Sequence, residues 1–502
     1  MIMSELFVVL EAHFGTIVGL VVVVTLSVWY VQDVTQTKHT VRRNYPVIGR
    51  LRYYFEELGE YLRQYLFMSD REELPFNRAT RGWVYRLAKN DAGVIGFGST
   101  NDQNEAGSII FVNAPYPVLE EDRLPTPPLV IGDGYCKHPF EARSVVNISG
   151  MSFGAISEPA VRALSRGAAM AGCWMDTGEG GLSPFHLEGG CDVMMQIGTA
   201  NYGIRGSDGQ FSSERAREIA AYPNVKAFEI KLSQGAKPGK GGVLPAAKVN
   251  EQIAKIRGIP ANADSISPNR HRDIANVDQL LDKIALVREI TGKPVGIKTA
   301  IGGWQFVNEL AEAIHRRGME YAPDFIAIDG GEGGSGAAPQ ALMDHMALSI
   351  VEALPRVVDA LIETGLRPRI RVIAAGRLVT SARAAWALCA GADFVNSARG
   401  FMFALGCIQS LHCHRNTCPT GVTTHNKRLQ RGLVVEEKYL RVANYAANMN
   451  KEIDMIAHSC GCRHSRELRR EHVRIIQSPG QSVALNVLYP YPVPGSKIRK
   501  AA

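Results

Sequence analysis

The chain has 502 residues, of which 46% are hydrophobic, 21% are charged and 49 are glycine. This composition is typical of a globular protein and excludes collagen, a coiled coil and a disordered polyelectrolyte. The length corresponds to about three average domains, or to one elaborated α/β barrel with appendages. The formal charge of +7 is small for this length and does not favour a nucleic-acid partner. The nine cysteines fit no disulfide scaffold, because three of them fall within residues 407–418.

An apolar segment near the N-terminus predicts a membrane anchor. No charged residue occurs between Phe14 and Gln32, and about 19 residues rising 1.5 Å each give roughly 28 Å, enough to span a bilayer. We therefore expect a transmembrane helix within residues 1–35. A cleaved signal peptide is the alternative, but Glu5 and Glu11 stand where such a peptide has basic residues.

The charges around this segment predict its orientation. The basic residues that follow it closely are Lys38, Arg42, Arg43, Arg50 and Arg52. By the positive-inside rule, the protein is expected in the inner (cytoplasmic) membrane as a single-pass protein with its large C-terminal part in the cytoplasm. The cysteines of that part would then be thiols or metal ligands.

Two further segments are expected to flank the catalytic part. Residues 36–144 contain an amphipathic helical pattern over 51–66 and a proline run over 125–128, and we interpret them as an N-terminal extension that packs on the rest. Residues 431–502 are predicted to form a C-terminal helical extension.

Residues 145–430 alternate short apolar runs with stretches of helical periodicity, such as 157–171, 308–317, 348–363 and 381–390. Eight apolar runs occur, at 145–148, 174–176, 193–197, 227–231, 294–298, 325–329, 370–374 and 394–397. Eight strand–helix units predict the α/β class and a (β/α)8 TIM barrel. A doubly wound open sheet is the alternative.

The segments after these runs are rich in glycine, and in a barrel the C-terminal ends of the strands carry the chemistry. Gly376 and Arg377 follow the seventh run, and Arg399 and Gly400 follow the eighth. Backbone N–H groups at glycine turns beside an arginine form an anion-binding nest. We therefore expect a phosphorylated cofactor there, with an ordinary tight turn as the alternative for each segment.

Two lysines end apolar runs. Lys231 closes the fourth run and Lys298 closes the fifth, on the side expected to face the barrel mouth. A single lysine is usually a solvated surface charge, but two cations beside an apolar barrel suit a dianionic substrate or the electron-rich edge of a flavin.

Three cysteines have the spacing C-x5-C-x4-C and are followed by Pro419: Cys407, Cys413 and Cys418. Thiolate ligands in a cytosolic segment favour an iron–sulfur cluster, and three cysteines with no evident fourth indicate a three-iron cluster.

Other interpretations of the cysteines remain open. Zinc could recruit His412 or His414, although no CxxC pair is present, and buried structural thiols are a third alternative. Cys460 and Cys462 are separated by one glycine and are interpreted as incidental. The remaining cysteines are expected to pack in the core.

Over about residues 145–425 the chain resembles the FMN-binding, synthase-half domain of glutamate synthase. The matching stretches are 152–157, 177–181, 230–239 and 328–331, and the strongest match is the cysteine segment 413–422. Among the members of that family, the chain is most similar to the standalone, membrane-anchored ones.

The resemblance implies an oxidoreductase acting on CH-NH2 donors, with FMN in the barrel mouth and a 3Fe-4S cluster on the three cysteines. Its reaction would join 2-oxoglutarate and ammonia to an imine, which hydride from reduced flavin converts to glutamate. The positions that match the site for 2-oxoglutarate are Glu179, Lys231 and Lys237 as catalytic residues, and Gln234 and Arg257 as substrate-binding residues. The positions that match the FMN-binding region are Ser152, Lys298, Gly330, Gly376 and Arg377.

The chain also departs from the full enzyme. No glutaminase domain with an N-terminal cysteine precedes the barrel, so we expect a separate ammonia-supplying partner. Lys240 and Val243 stand at loop positions that are polar or acidic in the full enzyme, and residues 301–304 replace its usual segment after strand five. No dinucleotide-binding fold of the GxGxxG type is visible, so we expect an electron donor protein instead of direct NAD(P)H oxidation. The alternatives are an FMN oxidoreductase for another 2-oxo acid or amine, and a membrane-bound electron-transfer subunit.

Overall fold

A computed structural model describes residues 2–91 and 93–497 of the chain, with side chains from residue 13 onward. The chain divides into two compact units, Met1–Ala79 and Thr80–Ala502. Residue 1 of the predicted anchor and residues 498–502 of the predicted C-terminal extension lie outside the described residues.

The first unit is helical. Its helices are Ile2–Thr35, Thr40–Asn44 and Gly49–Leu62, and the last continues into the π-helical turn Arg63–Phe67. The segment His13–Thr35 has a mean hydropathy of 2.2 and is long and apolar enough to cross a membrane. The helix predicted over 51–66 is present, but Leu51, Tyr54 and Phe55 are more than half exposed.

A buried carboxylate fixes the end of the long helix. Asp33 is fully buried, and its Oδ1 accepts from Nε and Nη2 of Arg42 at 2.9 and 2.7 Å. Its Oδ2 accepts from Arg50 Nε at 2.8 Å and from the backbone N–H of Val47 at 2.9 Å. Two of the predicted flanking cations thus hold the turn after the apolar segment.

The second unit contains the predicted barrel. Eight parallel strands pair in chain order: β1 (Val146–Ile148), β2 (Met175–Asp176), β3 (Val193–Ile197), β4 (Val225–Lys231), β5 (Val295–Thr299), β6 (Phe325–Asp329), β7 (Arg371–Ala375) and β8 (Phe394–Ser397). The pairing of Val395 with Val146 joins β8 to β1 and closes the sheet. The (β/α)8 prediction is confirmed, and closure excludes the open-sheet alternative.

Helices surround the barrel and follow its strands. The helices of the second unit are Arg78–Lys89, Glu158–Ala171, Pro184–Leu187, Ser213–Ala220, Glu251–Arg257, Val277–Thr291, Gln305–Arg317, Gln340–Met343, Ile350–Glu363, Ser381–Cys389, Arg399–Leu405, Lys427–Gln430, Val435–Ser459 and Leu485–Leu488. The helix after β1 begins because the Ser157 side chain accepts from the N–H of Ala160, and it ends at Gly172 in the left-handed region.

A hairpin closes the N-terminal end of the barrel. Its strands are Leu129–Ile131 and Phe140–Ala142. Ile131 and Phe140 are buried together with Trp174 and Phe394 of the barrel, and aromatic pairs join Trp174 to both Phe140 and Phe394. This part of residues 36–144 therefore packs on the barrel.

The C-terminal segment is only partly helical, which corrects our prediction for residues 431–502. After the helix Val435–Ser459, the strands Val473–Ser478 and Gln481–Ala484 form an antiparallel sheet with Ile109–Phe111. Two runs with β-branched residues flank Pro479 and Gly480, and Gly480 has a φ of +76°, so the local sequence favours a hairpin over a helix.

Candidate functional site

A cavity opens at the C-terminal ends of the barrel strands, where the strand-end loops meet. Seven of the predicted catalytic, binding and cluster residues line it: Ser152, Glu179, Lys231, Gln234, Lys237, Arg257 and Cys413. Val243, noted as a departure from the full enzyme, also lines this cavity. One cavity thus unites the predicted substrate site with the edge of the cysteine loop.

A second cavity adjoins the first at the ends of β5, β7 and β8. Lys298, Gly376 and Arg377 line it, and Lys231 and Gln234 line both cavities. The predicted cofactor residues therefore lie beside the predicted substrate residues. Gly330 lines neither cavity and lies beneath them, where its N–H donates to the Ala375 carbonyl at 2.9 Å.

The barrel register places the two strand-end lysines side by side. Lys298 of β5 pairs with Lys231 of β4 in the sheet. The chain then turns at Gly235, whose N–H donates to the Asp329 carboxylate at 3.0 Å. A side chain at Gly235 would overlap the Gly330 carbonyl oxygen, so only glycine lets this loop approach β6 so closely.

Glu179 lies at the centre of a group of cations. Lys231 Nζ donates to Glu179 Oε2 at 3.0 Å and to Gln234 Oε1 at 2.5 Å. Burial would raise the pKa of Glu179, but Lys231, Lys237 and Arg257 outweigh burial and lower it to about 2. Glu179 is therefore ionised at neutral pH and serves as a counter-charge, not as a proton donor.

Lys237 is a buried cation that faces the cavity. It is 7% exposed, and its Nζ has no hydrogen-bond or ion-pair partner among the residues that the structure describes. Burial lowers its pKa, whereas Glu179 acts in the opposite direction. A buried ammonium without a direct partner is available to an anionic ligand.

Arg257 is held in a fixed orientation. It ends the helix Glu251–Arg257, which stops at Gly258 in the left-handed region. Its Nη1 donates to Ser265 Oγ at 2.9 Å, and its Nη2 donates to the Phe153 carbonyl at 3.4 Å and to Ser152 Oγ at 3.5 Å. The guanidinium is buried and lines the cavity, so it can present a planar pair of donors to a carboxylate.

A polar network inside the barrel reaches both cavities at Gln196. Gln196 Nε2 donates to Glu229 Oε1 at 2.6 Å and to Asp176 Oδ2 at 3.3 Å. Burial, reinforced by Glu229, raises the pKa of Asp176 well above its usual range, which favours its protonated form. The pKa of Lys298 is raised because the carboxylates around it, led by Asp329, outweigh its burial. Our sequence reasoning missed Asp176, Gln196 and Glu229, although each polar residue within an apolar strand was a signal.

The second cavity is suited to an anion. Lys298, Arg377 and Arg399 line it, against the carboxylate of Asp329. Gly376 has a φ of +129°, and a Cβ there would lie 3.1 Å from the backbone nitrogen of Gly330. A Cβ at Gly334 would lie 2.5 Å from Arg399 Nη2. The glycines thus allow the backbone and Arg399 to pack closely beside this cavity, and its three cations are those expected for a phosphate group.

The cysteine loop does not form a preassembled metal site. Cys413 lines the first cavity, whereas Cys407 and Cys418 do not. Within residues 13–91 and 93–497, no group of three or more His, Cys, Asp or Glu side chains is arranged to hold a metal ion. Lys248 lies in the short 3-10 turn Ala246–Lys248, where sequence reasoning missed it, and donates to the carbonyls of Ala155 and Cys413 at 2.8 and 3.2 Å. It joins the cysteine loop to the loop after β1.

Comparison with known proteins identifies the family. Residues 116–463 match the family described as the conserved region in glutamate synthase. The chain belongs to the glutamate synthase family. It is 39% identical to the glutamate synthase large subunit-like protein YerD of Bacillus subtilis strain 168, over 96% of this chain and 98% of YerD. The resemblance to glutamate synthase that the strand-end and cysteine motifs predicted is thus confirmed.

Other members of the glutamate synthase family are longer than the aligned region. The chain is 35% identical to the archaeal-type glutamate synthase (NADPH) of Thermotoga neapolitana, over 66% of this chain and 62% of that protein. It therefore covers less than two thirds of that relative. Among solved structures, mandelate oxidase with benzoyl-formic acid is 17% identical with a TM-score of 0.40, over 73% of this chain and 86% of that chain. That likeness is too remote to bear on function.

Proposed function

We propose that the chain is an FMN-dependent oxidoreductase of the glutamate synthase type that forms glutamate from 2-oxoglutarate and ammonia. The observation that carries the proposal is the convergence of Lys231, Lys237 and Arg257 on one cavity around the ionised Glu179. Three cations against one carboxylate leave an excess of positive charge, which suits a dicarboxylate. Membership of the glutamate synthase family supports an oxidoreductase.

The second cavity fits FMN. Its three cations and its glycine turns would receive the phosphate, and its junction with the first cavity at Lys231 and Gln234 would place the flavin beside the substrate. The buried Oδ1 of Asn396 lines this cavity without a hydrogen-bond donor among the described residues, so it remains free for a ligand N–H. Bound FMN, once reduced, would supply the hydride.

The side chains divide the remaining work. Lys237 and Arg257 would bind the two carboxylates of 2-oxoglutarate, and Gln234 with Lys231 would hold the keto group between them. Ammonia adds to the keto carbon, water leaves, and the resulting imine takes up two electrons and two protons. Because Glu179 stays ionised, it would act as a counter-charge to these cations and would not donate the protons.

We include a 3Fe-4S cluster on Cys407, Cys413 and Cys418 in the proposal on donor chemistry alone. Cys407 Sγ accepts from the N–H of Gln409 at 3.4 Å, as sulfur ligands of clusters do. Since the three thiols do not form a ligand group in the structure, the proposed reaction rests on the cavity residues and not on the cluster. We also propose an electron donor protein and a partner that supplies ammonia. The proposed role of the cavity residues does not depend on either of them.

We also propose that His13–Thr35 anchors the protein in the inner membrane, with the barrel in the cytoplasm. The length and hydropathy of the helix support this assignment, and so do the basic residues after it. Membranes from cells that express the full chain would be washed at high pH. Retention of the protein in the pellet is expected, and its release would contradict the anchor.

The function is tested with the full chain purified in detergent without oxygen and supplied with FMN. After chemical reduction, the protein is expected to turn over 2-oxoglutarate and ammonium to glutamate. Lys237→Met should abolish most of this activity, whereas Lys255→Met should not, because Lys255 is an exposed lysine outside the cavity. A protein that retains no flavin, or a Lys237→Met variant as active as the control, would contradict the proposal.

A further inference from the structure

A second ligand site lies at the other end of the barrel. A cavity of about 340 Å³ opens beside the segments that precede β7 and β8, at Arg367 and at Gly391 to Asp393. The turns around residues 465–470 and the ring of Tyr491 complete it. Because the candidate active site lies at the C-terminal ends of these strands, this cavity is separated from it by the length of the barrel.

The cavity is lined mainly by cationic and apolar side chains. Its cations are Arg367, Arg466, Arg469 and Arg470. Among the described residues that line it, Asp393 is the one carboxylate. The apolar wall consists of Leu129, Val358, Ile362, Leu388 and Leu468. The site therefore combines an excess of positive charge with a surface for an apolar body.

Two of the four arginines already have carboxylate partners. Arg367 Nη2 lies 2.9 Å from Asp393 Oδ2, and Arg470 Nη2 lies 2.5 Å from Asp359 Oδ1. Arg470 also donates to the Tyr489 carbonyl at 2.8 Å. Arg470 thus holds the C-terminal segment against the barrel, Arg367 joins the segments that precede β7 and β8, and neither needs a ligand.

The other two arginines are not neutralised. Arg466 donates from Nε to the Pro127 carbonyl at 2.8 Å and from Nη1 to the Asp393 carbonyl at 2.6 Å. Its Nη2 is buried and has no acceptor among the residues that the structure describes. Arg469 Nη1 donates to the carbonyls of Arg466 and Leu468, both at 2.8 Å, and Arg469 forms no ion pair with any described residue.

Arg469 without an ion pair and the Nη2 of Arg466 without an acceptor favour the binding of an anion in this cavity. Burial lowers the pKa of Arg466 to about 10, so the guanidinium stays charged at neutral pH. The guanidinium of Arg466 lies over the Phe394 ring, 5.0 Å from its centroid, but its buried Nη2 lacks an acceptor, and a buried N–H without an acceptor is costly. Arginine pairs match the oxygens of a phosphate in geometry and in charge.

We propose that this cavity binds a small phosphate monoester, with its phosphate on Arg466 and Arg469 and its organic part against Tyr491 and the apolar wall. This ligand differs from the substrate and the cofactor proposed at the barrel mouth. The site does not depend on the function proposed for that mouth.

Calorimetric titration of the full chain in detergent, supplied with excess FMN, tests the site. The probes are phenyl phosphate, inorganic phosphate and benzoate. One equivalent of phenyl phosphate should bind, more tightly than inorganic phosphate because of the apolar wall, and more tightly than benzoate because of the phosphate. Arg466→Gln and Arg469→Gln should each weaken this binding tenfold or more.

The matched control is Arg463→Gln. Arg463 is exposed, pairs with Glu467 at 3.0 Å and does not line the cavity, so this change should leave binding unchanged. Arg469 is also exposed, so Arg469→Gln decides the matter if Arg466→Gln does not fold. The proposal is overturned if phenyl phosphate does not saturate, if benzoate binds more tightly, or if Arg469→Gln has no effect. If Arg377→Gln abolishes the binding of phenyl phosphate, that binding occurs at the barrel mouth, and the proposal is overturned as well.

Discussion

The two buried cations of the candidate active site should distinguish a dicarboxylate from a monocarboxylate. We consider Lys237→Met and Arg257→Met, with 2-oxoglutarate and 2-oxobutyrate as paired substrates, since 2-oxobutyrate lacks the second carboxylate. Lys237 is 7% exposed and Arg257 is 4% exposed, so each bond that they form to a carboxylate is shielded from water.

The size of the effect follows from that burial. A hydrogen bond to a charged group contributes about 1.5–3 kcal/mol, which corresponds to roughly 10- to 150-fold in kcat/KM. One of the two variants should lose this factor for 2-oxoglutarate and lose less than about fivefold for 2-oxobutyrate. The other variant lacks the cation that contacts the carboxylate common to both substrates. It should therefore have a lower kcat/KM for both 2-oxoglutarate and 2-oxobutyrate.

The assay is anaerobic turnover with ammonium and chemically reduced FMN, with glutamate or 2-aminobutyrate measured by chromatography. Lys255→Met is the control for the general loss of a positive charge, because Lys255 is exposed and lies on the same helix as Arg257. The reasoning is refuted if both variants reduce the turnover of both substrates in the same proportion.

Three further results are expected. Glu179→Gln should destabilise the protein near pH 7 by up to about 3 kcal/mol, because its pKa of about 2 lies below the ordinary 4.5. Since the folded-state pKa is the lower one, this stabilisation is complete above pH 4.5 and is lost toward pH 2, so thermal unfolding midpoints of wild type and variant should converge on acidification. Gly376→Ala should weaken FMN retention about tenfold in a fluorescence titration, because alanine is strained at a φ of +129°; equal retention would contradict the cofactor assignment. Cys413→Ser should remove the iron–sulfur EPR signal of the reduced or oxidised protein while its flavin spectrum persists, and a wild-type protein without that signal would refute the cluster.

The barrel could be predicted because its signals are local. Each strand is a short apolar run that ends in small or polar residues, and Lys231 and Lys298 were singled out by their position at strand ends. The fold then brought both lysines to the same cavity, as the rule for barrel strand ends requires. Gly235 was part of a recognised motif, but its close approach to Gly330 required the three-dimensional structure.

The remaining parts of the site depend on contacts that no local pattern encodes. Asp176 and Glu229 interrupt apolar strands, yet only the pairing of β3 with both β2 and β4 brings them to Gln196. Lys248 lies in a turn without periodicity, and its partners are distant in sequence. The strand Val473–Ser478 had a hairpin signal at its end, but its pairing with Ile109–Phe111 joins segments more than 350 residues apart.

A single turnover tests the central claim most directly. The full chain, loaded with FMN and reduced without oxygen, is mixed with 2-oxoglutarate and 15N-labelled ammonium, while flavin absorbance and labelled glutamate are followed together. The account predicts one equivalent of 15N-glutamate per reduced flavin, formed as the flavin is reoxidised, and little of either in Lys237→Met. Flavin that stays reduced in the presence of both substrates, or reoxidation without labelled glutamate, would contradict it.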